Sequence, residues 1–300
     1  MKEKDLHFKI VDALLILLMI LPIVCGILLK VLFIPSPNGI EITGAHIFFT
    51  LKMPFWDLPI TESQVNSWLV MISIFGLCLF LTHGIKTDTK TRRQHIAELI
   101  VEKTDGLVRE NMGEFFKDFA PFVGSILCLS AFSSLVTLFG LYPPTSDINI
   151  VGGWAILVSL LITYYKMKLG PKNYSLSFFK PVALLFPLNV INEFATPVSM
   201  AFRHYGNVLS GSIISLLVAT GLQGLSSMVF SWLPGKLAEI PFLQVGLPAI
   251  MSVYFDVFSG CLQAFIFAML TMLYISGAFS VDDYIEYKNK KNKKKTVKQN

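Results

Sequence analysis

Long apolar blocks occupy most of this chain of 300 residues and limit what it can fold into. Hydrophobic residues make up 53% of the sequence and charged residues only 15%, whereas soluble domains carry about 25% charged residues. The apolar residues fall into six blocks, at approximately 11–33, 67–85, 119–141, 151–166, 181–230 and 242–279. A membrane helix needs about 20 apolar residues. The pattern predicts an all-α polytopic membrane protein with six membrane helices, forming a single membrane domain over residues 1–300.

Lysine and arginine are alternately dense and sparse in the segments that flank these blocks. The counts are three in 1–10, one in 34–66, seven in 86–118, none in 142–150, four in 166–180, one in 231–241 and seven in 281–300. Because segments rich in Lys and Arg stay on the cytoplasmic side, the alternation predicts a multi-pass protein of the cell membrane with both termini in the cytoplasm. Residues 281–300 are predicted to be a basic cytoplasmic tail near anionic lipids. Nucleic-acid binding is not expected, because no folded basic module accompanies the tail.

The first apolar block has some features of a signal peptide, because Lys2, Lys4 and Lys9 precede it. Its apolar part is longer than the ~7–15 residues of a signal-peptide core, and no small-residue cleavage site follows it. Residues 11–33 are therefore predicted to remain in the protein as a first span.

The connection at residues 86–118 combines many charges with an apolar periodicity. Within Arg92–Met112, apolar residues recur at helical spacing among Arg, Lys and Glu; they are Ile96, Leu99, Ile100, Leu107 and Val108. This segment is predicted to be an amphipathic helix on the cytoplasmic surface of the membrane.

The last two blocks are too long for helices that cross a membrane at right angles. Residues 181–230 would form a helix of ~75 Å, against a hydrocarbon core of ~30 Å. Splitting this block into two spans would move the lysine-rich tail outside and break the charge pattern. Residues 181–279 are therefore predicted to form a hairpin of two strongly tilted or bent helices. Pro187 and Pro197 are available to bend the first of them.

A permanent cation lies in the middle of the fifth block. Arg203 is the only Lys or Arg in residues 181–230, and Glu193 is the only acidic residue there. A guanidinium at mid-membrane costs from ~2.5 to over ~10 kcal/mol, so its presence predicts a function. Polar residues spaced by three or four form a stripe around it: Asn192, Thr196, Ser199, Arg203, Asn207 and Ser210. The sixth block carries a second stripe: Ser252, Asp256, Ser259 and Gln263. Both stripes are predicted to face a bundle interior or a water-filled path.

Other interpretations of these residues stay open at this point. One alternative is a structural salt bridge that locks two helices together. A second is a secondary transporter in which Arg203 binds an anionic substrate. A third is a membrane enzyme, which would need a nucleophile or metal cluster. No repeat symmetry between the halves supports the transporter, and no P-loop, zinc-protease or nucleophile-elbow motif supports an enzyme. His204 points about 100° away from Arg203 on a helix and is predicted to be a packing or interfacial residue, not a ligand.

Several segments of the sequence resemble one family. Asn189–Gly211, which reads NVINEFATPVSMAFRHYGNVLSG, closely resembles the signature of the a subunit of F-type ATP synthases. Further segments are similar to the same family: QAFIFAMLTMLYI from Gln263, PTSDIN from Pro144, and Lys172-Asn-Tyr. The similarity covers roughly residues 60–280. Two departures stand out: His204-Tyr205 replaces the common Leu-Phe, and the span at 11–33 is an addition relative to members with five spans.

The resemblance implies a role for each matching position. Arg203 occupies the place of the essential arginine that faces the carboxylates of the rotating c-ring, and Asn207 and Gln263 match polar residues beside it on the ion route. Ser212 and Asp256 occupy two positions that often carry an interacting His/Glu pair in the outer half-channel, but Ser212 is not ionisable. Glu193 matches a carboxylate in the region of the opposite half-channel.

The family also implies a function and partners. We expect a stator subunit that translocates ions, H⁺ or Na⁺, through two half-channels and couples the ion gradient to ATP synthesis. It would catalyse nothing by itself and would need no cofactor or metal. Its expected partners are the c-subunit ring, the peripheral-stalk b subunits, the rest of the ATP synthase and membrane lipids.

Overall fold

A computed structural model gives the architecture of the chain. The structure describes residues 2–34, 44–54, 57–85, 91–168, 170, 174, 178, 186–230, 246–279 and 284–285, without the side chains of 2–7, 248 and 249. Its helices are α1 (Lys2–Phe33), α2 (Glu62–Thr82), α3 (Arg92–Met112), α4 (Ala120–Leu135), α5 (Ile148–Lys168), α6 (Phe186–Val229), α7 (Leu247–Ser252) and α8 (Gly260–Gly277). Short 3-10 helices occupy Glu114–Phe119, Val136–Phe139 and Pro144–Ser146. An antiparallel hairpin of β1 (Ile47–Leu51) and β2 (Leu58–Thr61) precedes α2.

Six helical stretches of the described chain are long and apolar enough to cross a membrane. They are Phe8–Phe33, Glu62–Thr82, Glu114–Phe139, Ile148–Lys168, Phe186–Val229 and Ile250–Gly277. This confirms the prediction of an all-α polytopic membrane protein, and each stretch corresponds to one predicted block.

The fifth stretch is one uninterrupted helix. α6 has 44 residues and therefore a length of ~66 Å, which fits a ~30 Å hydrocarbon core only when the helix lies obliquely. Pro197 lies inside α6, as predicted for a bend. The expectation for Pro187 stays a prediction, because the residues just before Phe186 lie outside the described part of the chain.

The sixth stretch contains a feature that the sequence pattern does not predict. α7 and α8 are joined by a π-helix over Val253–Ser259, so the helical rod continues but its hydrogen bonds there run from i to i+5. A π turn holds more residues than an α turn. The predicted stripe from Ser252 to Gln263 is therefore not a straight α-helical face, because Asp256 lies inside the π segment.

The N-terminal helix α1 packs directly on α2. A Cβ atom added at Gly76 of α2 would lie 3.0–3.2 Å from the backbone of Leu18 and Met19, so the two helices touch at their backbones. The Ser73 hydroxyl donates to the Met19 carbonyl at 2.5 Å. The predicted extra span is thus attached to the bundle by a close helix–helix contact.

The buried core lies between α3, α4, α5 and α8. Its members include Val108, Val123, Val158, Phe267 and Met272, each at most 1% exposed. The predicted amphipathic segment is confirmed as a helix, α3, with the bounds that the sequence suggested. It buries Val108 in this core while three predicted apolar residues stay about half exposed: Ile96, Leu99 and Ile100. Most of the predicted basic tail, residues 286–300, lies outside the described residues.

Candidate functional site

Arg203 lies on an exposed face of α6. Its side chain is exposed, and in the described part of the chain it forms no hydrogen bond or ion pair. Ile214 and Leu217 follow on the same helical face and are also exposed, at 42% and 59%. A permanent cation therefore sits on a helical face, with exposed serines and apolar side chains around it, that the described residues of this chain leave uncovered.

The next residue holds α6 against the rest of the bundle. His204 is fully buried, with its ring 6.1 Å from that of Trp154 in α5 and 5.7 Å from that of Phe267 in α8, both edge-on. Its Nε2 atom is 3.3 Å from the Ser130 hydroxyl of α4. Because consecutive helical residues point about 100° apart, burying His204 turns Arg203 outward. The prediction that His204 is a packing residue is confirmed.

Asn207, one turn after Arg203, connects the two long helices. The Ser259 hydroxyl donates to Asn207 Oδ1 at 2.9 Å, and Asn207 Nδ2 donates to the Ser259 carbonyl at 3.4 Å. Both predicted polar stripes thus meet at this pair. The contact places the π-helix beside the turn of α6 that follows Arg203.

Two glycines permit this close arrangement. A Cβ atom at Gly211 of α6 would lie 3.0–3.1 Å from the Phe255 side chain of the π-helix. A Cβ atom at Gly260, the first residue of α8, would lie 2.8 Å from Ser134 Cβ of α4. Distances under about 3.0 Å are not tolerated between packed carbon atoms. A side chain at Gly260 would therefore displace Ser134, and one at Gly211 would press Phe255 by a few tenths of an ångström, so both glycines keep this part of the chain closely packed.

The predicted outer carboxylate lies in the π-helix. Asp256 is partly buried and accepts a hydrogen bond from the Ser252 hydroxyl one turn earlier. Ser212 is exposed and donates to the Leu209 carbonyl of its own helix at 2.8 Å. Within the described residues no hydrogen bond joins Ser212 to Asp256. Gln263 is buried, at 6% exposed.

The predicted inner carboxylate has partners that the sequence analysis did not assign. Glu193 Oε2 accepts from Lys166 Nζ of α5 at 2.5 Å, and Glu193 Oε1 accepts from the Tyr174 hydroxyl at 3.4 Å. Burial, and secondarily the Glu193 charge, raise the pKa of Tyr174, so its phenol keeps the proton that it donates. A salt bridge of Arg203 with Glu193 or Asp256 is absent from the described residues; Glu193 pairs with Lys166 instead.

A cleft opens beside this ion pair. It has a volume of about 240 Å³ and runs between α5, α6 and the end of α8. Its lining includes Ser159, Lys166, Glu193, Thr196 and Tyr274. Thr196 is seven residues before Arg203, which is ~10.5 Å along a helix axis. The cleft therefore extends from the Lys166–Glu193 pair towards the turns of α6 that lead to Arg203.

Sequence reasoning missed Lys166, Tyr174 and Ser130 as neighbours of the site. In the sequence analysis Lys166 serves only as one of the four positive charges of residues 166–180, which predict the orientation of the chain. The sequence does indicate the pairing of Lys166 with Glu193. Lys166 ends one apolar block, Glu193 is the only carboxylate of the next block, and opposite charges on consecutive helices are expected to pair. Nothing in the sequence points to the contact between Ser130 and His204, which depends on how α4 packs against α6.

The six apolar helices and the polar contacts of the last two define the class of protein. It is a polytopic membrane protein whose two last helices carry charged and polar side chains within their apolar length.

Comparison with known proteins then gives the family. Residues 64–276 match the family model of the ATP synthase A chain. The chain is 31% identical over 242 residues to ATP synthase subunit a of Priestia megaterium, covering 75% of this chain and 95% of the relative. It is 26% identical over 279 residues to the sodium-ion-specific ATP synthase subunit a of Propionigenium modestum, covering 86% and 87%. The chain belongs to the ATP synthase A chain family, which confirms the resemblance noted in the sequence. The alternative of a secondary transporter is not supported.

Proposed function

We propose that this chain is the ion-conducting stator subunit of an F-type ATP synthase and that Arg203 separates its two half-channels. The observation that carries this proposal is an exposed guanidinium, without a partner in the described chain, within a predominantly apolar helix too long to cross the membrane upright. An uncompensated cation in such a position needs a counter-charge from outside the described residues. Carboxylates of a rotating c-ring, as the family implies, have the required charge.

Electrostatics then accounts for the coupling. A ring carboxylate that faces lipid is neutral, because a bare charge in hydrocarbon is prohibitive. Opposite Arg203 the ionised form is favoured, so the ring site releases its ion into one half-channel and reloads from the other. Arg203 also repels free cations and blocks a direct leak. Each charge that crosses contributes ~2.3 kcal/mol per 100 mV to rotation.

The remaining site residues divide between the two half-channels. We assign Glu193 and the cleft beside it to the cytoplasmic half-channel. Asp256, Ser212 and Gln263 belong to the outer half-channel, and Asn207 fixes the junction between the two through Ser259. The cleft next to Glu193 and the hydrogen bonds of Asn207 support this division.

The proposal extends to location and partners. The chain lies in the cell membrane with both termini in the cytoplasm, and its exposed Arg203 face contacts the c-ring. The b subunits of the peripheral stalk hold it against rotation. ATP chemistry takes place in other subunits, so this chain is not catalytic by itself. The charge pattern of the connections supports the orientation.

Substitution of Arg203 tests the proposal. Complexes that contain Arg203→Ala should assemble but make no ATP from an imposed ion gradient, and Arg203→Lys should be severely impaired because an ammonium lacks the planar guanidinium fork. Arg109→Ala is the matched control and should leave synthesis unchanged, because this exposed arginine pairs with Asp105 of α3 and with Glu114 of the 3-10 helix that follows. Near-normal ATP synthesis by purified Arg203→Ala complexes would refute the proposed function.

A further inference from the structure

Both oxygens of the Glu193 carboxylate, beside the cytoplasmic cleft, accept a hydrogen bond from a neighbouring side chain. Lys166 Nζ lies 2.5 Å from Oε2, and the Tyr174 hydroxyl lies 3.4 Å from Oε1. The side chains of Lys166 and Glu193 are 30% and 20% exposed, so the pair is shielded but still reached from the cleft. Any cation that binds Glu193 from this cleft meets a carboxylate already neutralised by a tethered ammonium.

Among the described residues, the Lys166 ammonium is held in the cleft by the Glu193 carboxylate alone. Lys166 is in the last turn of α5, and Glu193 is its one ion-pair partner among the described residues. The ammonium stands on a flexible four-carbon stem, so it can leave Glu193 and remain in the cleft. Departure of Lys166 would expose a negative charge, and its return would displace a bound ion.

A second lysine in the same helical turn has different surroundings. Lys168 Nζ lies 5.4–5.9 Å from the ring centres of Phe115, Tyr165, Phe279 and Tyr284, which form an aromatic cluster around it. This lysine stabilises packing at the end of α5 through cation–π contacts. It forms no ion pair with Glu193 in the described chain. The two lysines therefore share charge and position in sequence but differ in their access to the carboxylate.

Building on the proposed function, we propose that Lys166 is a tethered competitor that gates ion access to Glu193 in the cytoplasmic half-channel. An ion entering from the cytoplasm must displace the ammonium, so Lys166 raises the ion concentration needed for half-maximal transport. Because Lys166 competes for occupancy and takes no part in the exchange at Arg203, it leaves the maximal transport rate unchanged.

The test uses complete ATP synthase complexes reconstituted in vesicles with their cytoplasmic side outward. ATP-driven uptake is measured as initial rates over a series of external pH values with a pH-sensitive dye, and in parallel over a series of ²²Na⁺ concentrations. The ion that wild-type complexes transport is then followed in the variants Lys166→Gln, Lys166→Arg and Lys168→Gln. Immunoblots of purified complexes normalise each rate to the amount assembled.

Lys166→Gln should lower the half-saturating ion concentration by roughly two- to fivefold, the range expected from a partly exposed ion pair, with an unchanged maximal rate. Lys166→Arg keeps the competing charge and should behave like wild type. Lys168→Gln should leave the half-saturating concentration unchanged even where loss of its aromatic contacts reduces the assembled amount. In a Glu193→Gln background, Lys166→Gln should have no further effect.

Two results would contradict the proposal that Lys166 gates ion access to Glu193. One is an unchanged or raised half-saturating concentration in assembled Lys166→Gln complexes. The other is an equal shift in the Glu193→Gln background, because Lys166 would then act without its partner. Neither result bears on the role of Arg203, which is tested by measuring coupled ATP synthesis in Arg203→Ala complexes. Failure of the gate and failure of the proposed function are therefore distinguishable.

Discussion

Asn207 of α6 and Ser259 of the π-helix bind each other through two hydrogen bonds that run in opposite directions. The Ser259 hydroxyl donates to the Asn207 side chain, and the Asn207 amide donates back to the Ser259 carbonyl. Asn207 is one turn from Arg203, and Ser259 is three residues from Asp256. The Asn207–Ser259 pair thus helps to fix the position of Arg203 relative to Asp256 of the other helix.

Removing the Ser259 hydroxyl should weaken this connection. In Ser259→Ala, Asn207 Oδ1 loses its only donor among the described residues, which costs about 1 kcal/mol or about a fivefold change in an equilibrium. We expect a lower rate of ATP synthesis per assembled complex. Ser259→Thr retains the hydroxyl and is the control. A double-mutant cycle with Asn207→Ala should show that the two substitutions are not additive; simple additivity would mean that the pair is not coupled.

Gly260 gives a prediction in which packing opposes helix propensity. Replacing a helical glycine by alanine normally stabilises a helix by about 1 kcal/mol. At Gly260 the new Cβ would lie 2.8 Å from Ser134 Cβ, and overpacking of this kind costs about 1–3 kcal/mol. Gly260→Ala should therefore lower the thermal midpoint and the assembled yield.

Two variants control the Gly260 experiment. Gly152→Ala in α5 has no atom within 4 Å of the added Cβ and should be neutral or stabilising. Ser134→Gly removes the clashing carbon and should restore part of the yield in Gly260→Ala. Equal behaviour of Gly260→Ala and Gly152→Ala would show that α4 and the last helix are not in close contact.

The sequence predicts one part of this site well and another part not at all, for a physical reason. The stripe containing Arg203 and Asn207 follows from α-helical spacing, because α6 is a regular helix. The polar residues around Asp256 have the same spacing in the sequence, but there the chain forms a π-helix, which holds more residues per turn than an α-helix. The spacing of the polar residues does not reveal this difference. The Lys166–Glu193 pair follows from charge and position in the sequence, whereas the contact of Ser130 with His204 depends on how α4 packs against α6.

The orientation of the chain predicts which residues a membrane-impermeant thiol reagent reaches. Cysteine at Asn149, an exposed residue in the first turn of α5, should react from outside intact cells, whereas cysteine at Lys103 of α3 should react only after permeabilisation. The native cysteines must first be replaced by serine, since Cys25, Cys78 and Cys261 are exposed.

Thr296→Cys extends the same test to the predicted cytoplasmic tail, outside the described residues. It should be protected in intact cells, as Lys103→Cys is. Labelling of Thr296→Cys from outside would contradict an even number of spans and, with it, the single crossing by α6.

Asp256 should act as an ion relay and not as a structural lock. Its described hydrogen-bond partner is Ser252 of the same rod, and it forms no ion pair with another helix in the described chain. Asp256→Asn keeps the size and the hydrogen bond with Ser252 while removing the charge, so little packing is lost. We expect normal assembly but ion transport slowed by at least about tenfold per complex, because a relay that cannot ionise cannot exchange its ion.

A second-site change separates these two roles of Asp256. Ser212 lies on α6 one residue after Gly211, where an added Cβ would lie 3.0–3.1 Å from Phe255, the neighbour of Asp256 in the π-helix. Ser212→Glu would place a carboxylate on the turn of α6 that faces the π-helix and should recover part of the transport lost in Asp256→Asn. A lock predicts the reverse, with fewer assembled complexes, normal transport in each and no recovery by Ser212→Glu. Transport per assembled complex in the single and double variants decides the question, and an unchanged value in Asp256→Asn would remove Asp256 from the ion path.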